Sequence, residues 1–541
     1  MSDSRRGSPR REIVAVLLGL AAVTLTVLHQ QAADLYAVPD RGDPIFSIWR
    51  MAWVQHQLVT DPRHLFDANI FYPLPATLTY SDSMILPAVA AAPLAWAHVH
   101  PVVAYNLVLL TAWVLSGVSA YWLVRGLEYG PMAAWITAVT FTISPFRINH
   151  LSHLELQMTM WMPVALLAVH RILREEDWRY TMVLAAALTA QSYSSMYYGL
   201  FLGLYSAVFG AVLAVAWKVP ARRILYAAAA GCLAAVLVWP LARAYVASAP
   251  ARGIRQAESI AEFSAVPSDY LRPGVGNPTY RAFLPRVIHA ERALFPGVVP
   301  LVLAVVGAWP PLSATRIAFI AAGAVAVDGS LGLNGLFYPV LYRFLSPFQS
   351  VRAPARFGIL VGLTLAVLGG AGAARLVARI AGVRARLACL VILTVALMAD
   401  AWPRYDHRPV WRFPPTIYGS LPARGAVLFE FPVHAQPDRF SENLPYMYFS
   451  MWHWTPMVNG YSGFNPRSYA ELLEGTAGFP GDDSLAYLER AGVTHVTLHC
   501  ALWEPEVCTA TMNRLDSSPR VQRIARADWY GAATSLYELR R

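Results

Sequence analysis

Three groups of residues in this sequence have the types and spacing to do chemistry. The first is the carboxylate pair Asp40 and Asp43 in "DRGDP", directly behind an apolar run that ends near Ala33. The second is "SPFRINHLSHLELQ", which puts Arg147, His150, His153 and Glu155 on about two helical turns, with both imidazoles on one face. The third is "SPFQSVRAPARFG", which carries Arg352 and Arg356. Acids, imidazoles and guanidiniums gathered at one membrane face are what a reaction on a charged lipid head group requires. Any one of these residues taken alone reads better as solvated loop surface; it is the set that points to chemistry.

The elements that must position them follow from composition. Of 541 residues 56% are hydrophobic and 14% charged, and the mean hydropathy is +0.41. The apolar residues fall in long runs, so the chain reads as a polytopic α-helical membrane protein. The net charge of +10 could suggest nucleic acid, but the basic segments are too short and scattered to track a phosphate backbone. Requiring about 20 apolar residues per crossing predicts about 11 spans, near 12–33, 101–124, 131–146, 156–173, 180–195, 196–217, 224–247, 294–311, 315–330, 357–378 and 386–402. The connections holding Arg5, Arg6, Arg10 and Arg11, then Arg171, Arg174 and Arg179, then Lys218, Arg222 and Arg223, then Arg375, Arg379, Arg384 and Arg386 fall on one side, the expected inside. No cleavable signal peptide is evident, and the basic start reads as the anchor of a retained first span. The short apolar segment 84–98, broken by prolines, reads as interfacial or re-entrant.

That topology places the N-terminus inside and puts the loop 34–83, the residues after Trp402 and all three chemical groups outside. The outside also receives "QSYSSMYYG" with Tyr197, and a long loop near 248–293 with Arg252, Arg255, Glu258, Glu262, Asp269, Arg272, Glu291 and Arg292. Two domains are expected: a membrane body over 1–402 and a small extracytoplasmic α/β domain over 403–541. In the second, "GAVLFEFPV" and "VTHVTLHCA" read as buried strands, and "PRSYAELLEGT" and "DDSLAYLERAG" as amphipathic helices. Its aromatic stretch 446–466 could stack on sugar rings or pack a core. Cys500 and Cys508 could pair across a short loop if the outside is oxidising, although spacing alone does not show that their Cβ atoms approach. No nucleophile elbow, phosphate-binding Gly loop or CxxC occurs, so soluble hydrolase, nucleotide-driven pump and redox readings lack support.

The layout resembles the GT-C superfamily of membrane glycosyltransferases: an inside N-terminus, an acidic pair just after the first span, an interfacial apolar stretch before the second, and a C-terminal outer domain. It is similar above all to bacterial multi-span GT-C-like proteins with "GDP", "FYP", "SPFR", "RAP" and "NGYSGF" patches. The resemblance implies a bacterial inner-membrane enzyme, an inverting transferase that moves a sugar from a polyprenyl-phosphate donor to an extracytoplasmic glycan, lipid or protein. It implies a catalytic carboxylate in the first loop, best matched by Asp43, with Asp40 as the alternative. Planar guanidinium forks suit the leaving phosphate, and Arg352 and Arg356, with Arg147 behind them, are the residues expected to hold it. His150, His153, Glu155 and Tyr197 are expected to orient the acceptor. No cofactor is required on this reading. The alternative is a divalent metal such as manganese, zinc or magnesium on Asp43, His150, His153 and Glu155. The competing class is a lipid-linked saccharide transporter or an assembly scaffold. Transporters place polar groups at the bilayer midplane, and here the span centres carry almost none.

Overall fold

The structure, a computed structural model, describes residues 9–175, 177–252, 256–280, 282–285, 289–433 and 441–540. Arg5, Arg6 and Arg255 lie outside the described residues. Helices occupy all the segments expected to cross: Pro9–Val27, Pro101–Gly126, Pro131–Thr142, Trp161–Glu175, Arg179–Ser194, Met196–Ala216, Ala221–Arg252, Val298–Gly307, Ala314–Leu331, Gly358–Ala378 and Val383–Asp400.

Among the described residues six helical stretches are long and apolar enough to cross a membrane: Pro101–Gly126, Leu154–Glu175, Met196–Ala216, Ala221–Ala251, Ala314–Asn334 and Pro354–Ala378. The number is smaller than the sequence suggests for two reasons. Pro131–Thr142, Arg179–Ser194 and Val298–Gly307 have 12, 16 and 10 residues. At 1.5 Å per residue they reach roughly 18, 24 and 15 Å, short of a hydrocarbon core about 30 Å thick. Pro9–Val27 holds Arg10, Arg11 and Glu12, and Val383–Asp400 holds Arg384, Arg386 and Asp400, which puts charge into otherwise apolar helices. The segment around 84–98 contains the apolar helix Ile85–Trp96, also too short to cross.

The chain divides into two compact units. One comprises Met1–Pro39, Val103–Leu241 and Ile254–His407; the other comprises Asp40–Val102, Ala242–Gly253 and Arg408–Arg541. Within the first, the short helix Val298–Gly307 lies directly on Gly358–Ala378. A Cβ at Gly307 would stand 1.8 Å from the Leu368 carbonyl oxygen and one at Gly372 2.0 Å from that of Leu303. Only glycine permits that approach, which is how apolar helices gain packing when no hydrophobic force separates them from lipid.

The second unit is built on a four-stranded sheet. Leu428–Phe431 pairs in parallel with His495–His499, which pairs antiparallel with Ala532–Leu539, which in turn pairs with Val521–Trp529. Tyr530 and Gly531, both at positive φ, close the last hairpin in two residues, the turn that matches strand twist. The helices Arg467–Gly475 and Asp482–Arg490 form where the sequence predicts them. Cys500 and Cys508 form a disulfide with Cα atoms 5.4 Å apart. Cys232 and Cys389 are free.

The first loop is sewn into this sheet. Met457 N–H donates to the Asn69 carbonyl (2.9 Å), Phe71 N–H to Asn459 (3.0 Å) and Tyr72 N–H to Met457 (2.9 Å). The stretch 456–458 in turn exchanges backbone hydrogen bonds with Leu428. Residues 69–72 therefore act as an added strand in a domain whose other strands lie more than 350 residues later.

Candidate functional site

In the second unit, "DRGDP" becomes a turn leading into the helix Asp43–Thr60. Asp40 Oδ1 accepts from the Gly42 N–H at 2.7 Å, an Asx turn that sets the entry of the chain into the helix. Arg41 leaves the turn to donate through Nε (3.0 Å) and Nη2 (2.7 Å) to the Pro409 carbonyl, with its guanidinium 5.0 Å from the Trp411 ring. Asp43 occupies the first helical turn followed by Pro44, so its carboxylate lies where the helix dipole and unpaired N–H groups favour negative charge. It is half-buried, and the Tyr461 hydroxyl donates to its Oδ1 at 3.4 Å. Two turns further on, Arg50 is buried, donating to the Asp82 carbonyl (2.8 Å) and Ser47 Oγ (2.9 Å) and lying 4.3 Å from the Phe46 ring.

In the first unit, three of the residues expected to act on phosphate and acceptor, Arg356, His150 and His153, meet an acid that sequence reading did not single out. Glu291, in the one-turn helix Ala290–Arg292, accepts from Arg356 through both carboxylate oxygens, one of them at 3.0 Å from Nε. His150 Nε2 is 3.0 Å from its Oε2, and His153 Nε2 is 3.7 Å from its Oε1. His153 Nδ1 is also 3.7 Å from Glu155. The Arg356 guanidinium sits 5.8 Å from the ring of Tyr197, whose hydroxyl reaches the Ser350 carbonyl at 3.4 Å. Burial alone would raise Glu291, but the charges of Arg356 and His150 outweigh it and hold the carboxyl well below its ordinary range.

The three arginines expected to cradle a phosphate differ sharply. Arg147 is wholly buried, donates to the carbonyls of Thr142 (3.0 Å) and Gln157 (3.1 Å), and lies 4.8 Å from the Trp113 ring. Burial pulls it down to about 9, so it remains charged at neutral pH. Arg356 is committed to Glu291. Of the three, Arg352 alone is exposed, its guanidinium carbon 4.3 Å from the centre of the Phe263 ring. Nearby in sequence to Glu291, Arg292 and Arg272 both pair with the fully buried Asp269, at 2.7 and 2.8 Å. Among the described residues no three of His, Cys, Asp or Glu form a set that would hold a metal ion.

Glu291 left only a weak signal, one acid in a loop of mixed charges. Tyr461 belongs to the "NGYSGF" patch, whose aromatic character gives no hint of a carboxylate partner.

With the geometry described, comparison with solved proteins shows a shared fold. The cryo-EM structure of the arabinofuranosyltransferase AftD from Mycobacteria matches with a TM-score of 0.63 at 14% identity, covering 98% of this chain and 40% of that one. A structure of a mutant of the same enzyme matches with a TM-score of 0.60 at 14% identity, covering 99% of this chain and 42% of that one. The chain thus spans about 40% of the length of the solved proteins it matches. AftD is a membrane glycosyltransferase of the GT-C family, so the resemblance seen in the sequence holds at the level of the fold. No protein-family model matches the sequence, and no curated protein does.

Proposed function

We propose that this chain is an inverting membrane glycosyltransferase that moves a sugar from a polyprenyl-phosphate donor to an acceptor outside the cytoplasm. The observation that carries the reading is the fold shared with AftD over 98% of this chain. Asp43 supplies the chemistry that fold would need, a half-buried carboxylate at the start of a helix. The acceptor hydroxyl oxygen bonds to the anomeric carbon, the bond from that carbon to the phosphate oxygen breaks, polyprenyl phosphate leaves, and Asp43 takes the hydroxyl proton. On this reading the loop 34–83 and the residues after Trp402 face outside, the Arg-rich connections face inside, and the protein resides in a bacterial inner membrane.

Arg352 is assigned to the donor phosphate, because it stands over the Phe263 ring and is exposed. Arg147 and Arg356 support the neighbouring backbone and Glu291. His153, the more exposed imidazole, and Tyr197 are assigned to the acceptor, with His150 and Glu155 behind them.

The test is transfer by purified protein in lipid nanodiscs, using short-chain polyprenyl-phosphoryl arabinofuranose and its mannosyl and glucosyl counterparts. Release of polyprenyl phosphate with formation of an inverted glycoside supports the reading; no transfer from any of them with envelope glycan acceptors overturns it. Arg352→Lys keeps the charge but loses the planar fork, so the donor KM should rise about tenfold with kcat nearly unchanged. An unchanged KM would remove Arg352 from the phosphate site.

A further inference from the structure

The "DRGDP" turn and the "NGYSGF" patch lie 418 residues apart, yet they meet inside one compact unit through Tyr461 and Asp43. Both ends of that contact are held by groups that take no part in it. On the tyrosine side, Asn459 accepts from the Glu430 N–H at 2.7 Å and donates back to its carbonyl at 2.9 Å. Gly460 lies so close to Phe71 that a Cβ there would stand 2.7 Å from the ring. The Tyr461 ring meets Phe46 edge-on, with centroids 5.3 Å apart and planes at 89°. On the carboxylate side, the Asx turn of Asp40 and the buried Pro44 fix the first turn of the helix.

We propose that Tyr461 is a positioning residue for the reaction, a phenol supplied by the C-terminal domain that sets the rotation of the Asp43 carboxylate. The assignment rests on the transferase reading above. A carboxylate at a helix start rotates about two single bonds, and a proton acceptor that is misplaced by about 1 Å can lose 100-fold in rate. The hydroxyl contact at 3.4 Å is long, as such contacts commonly are before substrate tightens them. The phenol need not exchange a proton; it donates to Oδ1 and limits the angles at which the carboxylate meets an incoming hydroxyl.

Tyr461→Phe retains the ring and its edge-on contact with Phe46, so thermal melting should not change. With polyprenyl-phosphoryl sugar as the probe, kcat should fall about tenfold while KM for donor and acceptor stays within about twofold. In an Asp43→Asn background the same change should have no further effect, because a group that acts through Asp43 has nothing left to orient. An active wild type with an unaffected Tyr461→Phe would overturn this assignment and leave the transferase reading standing, as would losses that simply add in the double variant. A wild type that transfers nothing would overturn both together.

Discussion

Asp43→Asn should lower sugar transfer by about 100-fold or more while leaving folding and donor binding intact. The amide keeps the size of the side chain and its oxygen can still accept from Tyr461, but it cannot take a proton from the acceptor. Its position explains why folding should survive: Asp43 is half-buried and sits at the first turn of its helix, where the charge–dipole term that the replacement gives up is about 0.3–1 kcal/mol. Asp40→Asn is the control. Its structural task is to accept from the Gly42 N–H, and an asparagine oxygen does the same, so activity should stay within a few-fold of wild type. Rates measured for both variants at saturating donor decide the matter. Full activity in Asp43→Asn with loss in Asp40→Asn would exchange their roles, and full activity in both would remove catalysis from the turn.

Glu291→Gln should be the most damaging single change to stability. Arg356 would then stay largely buried with the carboxylate that clamps it replaced by a neutral amide, and leaving one member of a buried pair uncompensated costs about 3–5 kcal/mol. His150 would lose the same partner. Replacing both together, Glu291→Leu with Arg356→Met, should recover much of that loss, since an apolar pair of similar volume is often neutral. The pH dependence has a definite sign. The folded carboxyl lies well below its unfolded value of about 4.3, so its contribution is complete above that value and is lost as pH falls toward the folded one. Melting temperatures of wild type and Glu291→Gln should therefore differ most at neutral pH and converge in acid below about pH 4.3. A constant gap across that range would show that Glu291 is not the carboxylate whose charge matters.

The helices were legible because a long apolar run carries its own signature. Their usefulness as crossings was less so: Pro145 and the Pro310–Pro311 pair follow helices that stop short, and a hydropathy window runs through such stops. The strands at 428–431 and 495–499 and the two amphipathic helices were readable from local periodicity alone. What no local pattern could show was pairing across distance. Asn69 and Thr455 meet over 386 residues, and the choice between Arg356 as a phosphate cradle and as the clamp of Glu291 depends on a partner 65 residues away. Each arginine of "SVRAPARF" looks alike in sequence; burial separates them, with Arg352 exposed and Arg356 buried beside its carboxylate.

The added strand at 69–72 has a consequence for how the protein is made. Its hydrogen-bonding partners at 457–459 are synthesised about 390 residues later, which at about 5–20 residues per second leaves it unpaired for roughly 20–80 s. Throughout that interval the helix bearing Asp43 lacks the Tyr461 hydroxyl at its first turn and the edge-on packing of Tyr461 on Phe46. A nascent chain can thus enter the bilayer helix by helix with the turn that carries Asp43 still unassembled. Assembly of that turn therefore waits on strands encoded far downstream of it.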